Sequence, residues 1–143
     1  MDAYATSRRL MWHGVFLFLL GLLTGIAVPA LTNPRMGLSA HLEGVMNGMF
    51  LIVLGLIWKE AKFTLKTAKA TFGIALYGTY ANWAATLLSA VFGSTRLTPI
   101  AGAGYTAPVW QEIAIGFGQI SLSVAMVICC VLVLLGLGKP NLG

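Results

Sequence analysis

Charge is what this 143-residue chain lacks most: Asp and Glu together number 4, Lys and Arg 9, and only 9% of residues are charged. A soluble domain of this length needs far more charge to cover its surface, so the composition excludes that class. Histidine is nearly absent, at 2 residues, which rules out a zinc site built from protein ligands alone. The 2 cysteines, Cys129 and Cys130, are adjacent, so neither a Cys-x-x-Cys motif nor a disulfide framework is available, and both read as apolar filler. Internal repeats, low-complexity tracts, a phosphate-binding glycine loop and a hydrolytic triad are all missing. The 9 cations come without any nucleic-acid recognition motif, so nucleic acid is not an expected partner.

What is present is apolar: 58% of residues are hydrophobic and the mean hydropathy is +0.86. Four runs, 10–31, 38–58, 70–92 and 113–137, each reach the roughly 20 residues that cross a hydrocarbon core. The first follows Arg8 and Arg9 as a signal peptide would. It is too long for one, lacks a clear small-residue cleavage site, and leads straight into a second span. The expectation is an all-α integral membrane protein, one domain over residues 1–143, folded as an oligomeric bundle of four transmembrane helices. Arg8, Arg9, Lys59, Lys62, Lys66, Lys69 and Lys139 flank one side and only Arg35 and Arg96 the other. That asymmetry predicts cytoplasmic termini and a cytoplasmic 59–69 loop, whose lysines can also meet anionic lipid head groups. Pro29, Asn33, Pro34 and Gly37 mark the first outer turn. The outer loop 93–112 is long enough to suggest a lid, or else a plain connector.

Ionisable and amide side chains inside the spans are the natural candidates for function, because each costs ~2.5–3.5 kcal/mol at mid-bilayer on insertion scales. "GLSAHLEGVMNG", residues 37–48, concentrates them. At 100° per residue His41, Gly44 and Gly48 share one stripe. Gly44-x-x-x-Gly48 reads either as close helix packing or as a bare wall for a flat ring beneath an imidazole. Glu43 and Asn47, four residues apart, lie on a different face, so this helix presents functional groups in two directions. In the third span Thr79, Asn82, Thr86 and Ser89 form a polar stripe, with Tyr77, Tyr80 and Trp83 beside it. Glu112, Gly116, Gln119 and Ser123 share a face of the fourth span. Such stripes serve interhelical hydrogen bonding, or converge on a pocket for a small aromatic molecule. His13 has nothing polar around it in sequence and reads as a satisfied or snorkelling side chain.

"NPRMGLSAHLEGVMNGMFLIVLGLIW" and "ALYGTYANWAATLLSAVFG" resemble the hydroxylaminobenzene mutases, small bacterial membrane proteins of four spans that convert hydroxylaminobenzene to 2-aminophenol. A more distant similarity is to styrene oxide isomerase, whose histidine in the matching segment binds a ferric haem b between subunits of a trimer, the haem acting as a Lewis acid. The resemblance implies an isomerase of the bacterial inner membrane, a homotrimer with His41 as haem ligand and Gly44 and Gly48 beside the porphyrin. It implies Asn47 and Asn82 as substrate-orienting groups, with Glu43 or Glu112 moving a proton. The isomerase's tyrosine four residues beyond its Ala-Asn pair has no counterpart, since Thr86 stands there; Tyr77 or Tyr80 is the substitute this sequence offers. Two rivals are a non-catalytic transporter or membrane subunit, and a haem-free mutase using Glu43 and His41 as acid and base.

Overall fold

The computed structural model describes residues 2–138, so Lys139, one of the cations invoked for orientation, lies outside the described residues. Among those residues every regular element is helical. Four long helices, α1 (Ala3–Ala27), α2 (Pro34–Ile57), α3 (Leu65–Phe92) and α5 (Val109–Leu137), are joined by short connections and one single-turn helix, α4 (Pro99–Gly102). A 3-10 turn, Val28–Ala30, extends α1. Helices α1, α2 and α3 begin before their apolar runs because their starts are set by polar caps, whereas α5 starts after Pro108 without a side-chain cap. The side chains of Asp2, Asn33 and Thr64 accept from the backbone N–H groups of Tyr4, Met36 and Thr67 at 3.0, 3.1 and 3.2 Å. At the other end of α3, Gly93 takes φ +72°, the left-handed C-cap that glycine adopts without steric cost.

Three helices, α1 with its 3-10 turn, α2 and α5, are long and apolar enough to cross a membrane. The chain is therefore multi-pass. α3, at 28 residues, has the length, but its lysines and its stripe of Thr79, Asn82, Thr86 and Ser89 lower its apolar character.

The helices pack in the order α1, α2, α3, α5, with no close backbone approach of α5 to α1 or α2 among the described residues. The α1–α2 seam is made of glycine. A Cβ on Gly44 would stand 2.5 Å from the Gly21 Cα, and one on Gly48 would stand 2.7 Å from the Gly14 carbonyl oxygen. With no hydrophobic drive between helices in lipid, backbone-to-backbone contact of this kind supplies the dispersion that holds them. Ser7 adds a buried hydrogen bond across the seam to the Gly55 carbonyl, 2.7 Å. The core consists of Leu10, Leu17, Leu51, Leu54 and Trp58 from the α1–α2 hairpin, closed by Ala75, Cys129 and Val133.

Because the backbone of α5 approaches α3 but not α2, a cleft remains between α2 and α5. At one end α4 and its flanking loop roof it. Asn33, fully buried, fastens this end: its backbone N–H donates to the Ala90 carbonyl at 2.9 Å and its side-chain amide to the Gly102 carbonyl at 3.0 Å.

Candidate active site

The roofed part of the cleft is a cavity of about 610 Å³, within the ~300–1,000 Å³ typical of small-molecule sites. Its walls are mostly apolar, from residues such as Met36, Leu97, Ala101 and Ile120, and its polar groups come from α2, α3 and α5. Glu43 is the one carboxylate on this wall. A single oxygen, Oε2, accepts both the Asn47 amide N–H at 3.1 Å and the Asn82 amide N–H. Asn47 reaches it because i and i+4 stack on one helix face, and Asn82 reaches it from α3 across the seam. Two amide donors on one half-buried carboxylate are charge-assisted bonds that fix its orientation and offset part of its desolvation. Among the described residues the second oxygen, Oε1, has no protein partner.

The hydroxyls on the same wall are already committed. Thr86, Ser123 and Ser39 donate to carbonyls of their own helices, those of Asn82, Gln119 and Arg35, at 2.9, 2.8 and 3.3 Å. Such back-bonding is the usual fate of helical Ser and Thr.

His41 turns the other way, onto α1. Its Nδ1 lies 2.8 Å from the Gly21 carbonyl oxygen, and Gly25 leaves room for the ring, since a Cβ there would come within 2.7 Å of Nδ1. A carbonyl oxygen only accepts, so Nδ1 carries the hydrogen, and Nε2 is the nitrogen that holds the lone pair in the neutral ring. That is the arrangement in which a histidine ligates through Nε2 with its other nitrogen anchored. No group of three or more His, Cys, Asp or Glu side chains comes together among the described residues. One imidazole therefore suits only a metal that brings its own equatorial ligands, as a porphyrin iron does.

Gly44 and Gly48 do share the His41 stripe, but in the protomer that stripe is covered by the backbone of α1 at Gly21, Gly14 and Phe18. The bare wall expected for a flat ring is a helix-packing surface. Tyr80 stands with His13, its hydroxyl 3.1 Å from the His13 Nδ1, and does not line the cavity. Tyr77 pairs with Ser121 at 2.7 Å, and Trp83 donates to the Thr24 hydroxyl at 3.1 Å. Glu112, in the first turn of α5, is absorbed by the loop 93–108. It accepts from the Ser94 hydroxyl at 2.7 Å and from the backbone N–H groups of Arg96, Thr95 and Ala107 at 3.0, 3.1 and 3.3 Å.

The structure thus brings Glu43, Asn47 and Asn82 together and leaves His41, Tyr80 and Glu112 in three other places. Sequence reasoning took Asn33 for a turn former only, though the pattern Asn-Pro ahead of an apolar run announces a helix cap. It also passed over Gly21 and Gly25, whose spacing of four in the first span was the available sign that α1 offers the imidazole a platform.

A membrane helix bundle with an oriented carboxylate in an apolar cavity defines an integral-membrane enzyme, and the comparisons place it in the isomerase class. The family model described as styrene oxide isomerase matches residues 6–138, and the chain belongs to that family. It is 54% identical to the hydroxylaminobenzene mutase HabB of Ectopseudomonas oleovorans over 132 residues, 92% of this chain and 80% of that one. It is 41% identical to HabA of the same organism over 125 residues, 87% of this chain and 93% of that one. No solved structure matches.

Proposed function

We propose that this protein is an intramolecular hydroxyl mutase that converts hydroxylaminobenzene-type aryl hydroxylamines to 2-aminophenols. The observation that carries the reading is the Glu43 carboxylate, held by Asn47 and Asn82 on the wall of an apolar cavity, in a chain most of which aligns with proteins named for this reaction. The rearrangement breaks the N–O bond, forms a C–O bond at the ortho carbon and moves the ring proton there to nitrogen, so substrate and product are isomers. Glu43 suits the proton step: Oε1 can take the ortho proton and return it to nitrogen, while the amides keep the carboxylate in place. The apolar walls keep water from the activated ring.

A ferric haem b on the Nε2 of His41 would supply a Lewis acid able to polarise the N–O bond. The anchored Nδ1 of His41 supports that role. His41 and Glu43 face different neighbours of α2, so the haem reading requires an oligomer that assembles the complete site. α2 supports one: although packed on both α1 and α3, it leaves Leu38, Leu42, Met46, Met49, Val53 and Leu56 exposed as one continuous helical stripe. The proposed assembly is a homotrimer in the bacterial inner membrane, with α3 as the fourth span and both termini cytoplasmic. Cysteines placed at Lys66 and Thr98 should label from opposite sides of the membrane.

The test is the detergent-purified protein. It should form 2-aminophenol from hydroxylaminobenzene and show a Soret band. Turnover without any haem would leave Glu43 as the centre of an acid–base mutase and remove the Lewis acid. No turnover by a folded, haem-loaded oligomer would sink the mutase reading itself.

A further inference from the structure

We propose that Gln119 is a substrate-binding residue of this site, the polar arm that holds the N-hydroxyl group opposite Glu43. The inference rests on the mutase reading above and deepens it. Gln119 lies on α5 and lines the cavity shared by Glu43 and Asn82 of α2 and α3. Among the cavity's other polar side chains the Ser39, Thr86 and Ser123 hydroxyls are spent on helix carbonyls, the Thr98 hydroxyl lies 3.9 Å from the Met36 sulfur, and the Asn82 N–H is spent on Glu43. The Gln119 amide makes no hydrogen bond among the described residues, while its backbone carbonyl accepts from Ser123. An amide left without a partner on an otherwise apolar wall costs free energy unless water or a ligand satisfies it. The same cavity is lined by Glu43, whose Oε1 has no protein partner among the described residues.

Taken together, the two groups describe a ligand. Glu43 provides acceptor capacity alone and needs a donor, whereas Gln119 provides both an N–H donor and a carbonyl acceptor. An aryl hydroxylamine has an N–H and an O–H to donate and an oxygen that accepts, so it satisfies both sides. An aryl epoxide has only an accepting oxygen, which can meet the Gln119 amide but leaves Glu43 facing another acceptor. The pair therefore selects ring compounds bearing a donor on the side chain, and rejection of donor-free analogues follows from leaving Glu43 unpaired once the ligand has displaced water.

The experiment replaces Gln119 with Met, which keeps length and removes the amide, and with Asn, which keeps the amide and shortens its reach. Both variants are purified as full-length protein and checked for unchanged oligomer and thermal midpoint. Benzyl alcohol places a hydroxyl at the same distance from the ring as hydroxylaminobenzene, and ethylbenzene replaces it with methyl. Gln119→Met should lower kcat/KM for hydroxylaminobenzene at least tenfold, raise the inhibition constant of benzyl alcohol at least fivefold and leave that of ethylbenzene unchanged. Gln119→Asn should fall between wild type and Met. Equal weakening of both inhibitors, or wild-type kinetics in the Met variant, would overturn the assignment. If Gln119→Met does not fold, the Asn variant decides: benzyl alcohol weakened relative to ethylbenzene supports the contact, and an unchanged ratio refutes it. Wild-type protein that fails to turn over hydroxylaminobenzene would instead fail the mutase reading, and the inference would fall with it.

Discussion

Glu43→Gln separates what the carboxylate does for the fold from what it does for the reaction. In the native site Oε2 accepts two amide N–H groups and Oε1 has no protein partner among the described residues, on a side chain that lines the cavity. A glutamine oxygen in the Oε2 position still accepts from both Asn47 and Asn82, so the seam between α2 and α3 survives. The loss is the difference between charged and neutral acceptors, of order 1–2 kcal/mol in stability over the two bonds. The consequence for turnover is larger. The new NH₂ takes the place of Oε1 and turns a proton acceptor into a donor that cannot take the ring proton. General acid–base groups contribute roughly 10²–10⁴-fold, equivalent to about 3–5 kcal/mol of barrier. The assay pairs the rate of 2-aminophenol formation with thermal unfolding in detergent. The expected variant is folded, oligomeric and slowed at least a hundredfold. Asn47→Ala and Asn82→Ala, each leaving one donor, should each slow turnover more than tenfold, about 1.4 kcal/mol. Turnover of Glu43→Gln within threefold of wild type would refute the proton role, and rate loss that merely tracked unfolding would reduce the cluster to helix packing.

Three further outcomes are expected. Gly44→Ala drives a methyl into the Gly21 backbone, which cannot swing aside, so α1 should separate from α2 at a cost of roughly 1–3 kcal/mol, read as a lowered thermal midpoint. An unchanged midpoint would contradict the packing described for this seam. Glu112→Gln sets an NH₂ against backbone donors and should loosen the roof: hydrogen exchange over residues 94–107 should quicken and KM rise several-fold, with kcat affected less. If kcat alone collapsed, Glu112 would belong to the chemistry after all. His41→Ala should lose the Soret band and the activity together, whereas His13→Ala should keep its haem; a full haem complement in His41→Ala would assign the ligand elsewhere.

The apolar helices were legible because the bilayer imposes a length and a composition that no soluble fold shares, whereas the caps at Asn33 and Thr64, ordinary N-cap residue types, emerge only from the structure. Periodicity, however, reports which side chains share a face and says nothing of what the face meets. His41, Gly44 and Gly48 do lie on one stripe, and a stripe of glycines beneath an imidazole suits a flat ring or a second helix equally well. Here α1 occupies it through Gly14 and Gly21, a pairing visible only once both helices are in place. Reach decided the polar stripe of α3 in the same way. Thr79, Thr86 and Ser89 have hydroxyls short enough to fold back on their own helix, at 2.7, 2.9 and 2.9 Å, whereas Asn82 is long enough to cross to Glu43. Glu112 looked equivalent to Glu43 as an acid near the outer end of an apolar run. The distinction between them lies in their surroundings: the loop folds four donors onto Glu112, while Glu43, on the cavity, keeps one oxygen without a protein partner among the described residues. In lipid, where an unpaired polar group is costly, the groups left uncommitted after folding are the ones available to a ligand. Among the described residues, subtracting the satisfied polar groups in these spans leaves Glu43 Oε1, the Asn82 side-chain carbonyl oxygen and the Gln119 amide on the cavity, a far narrower set than the stripes the sequence displays.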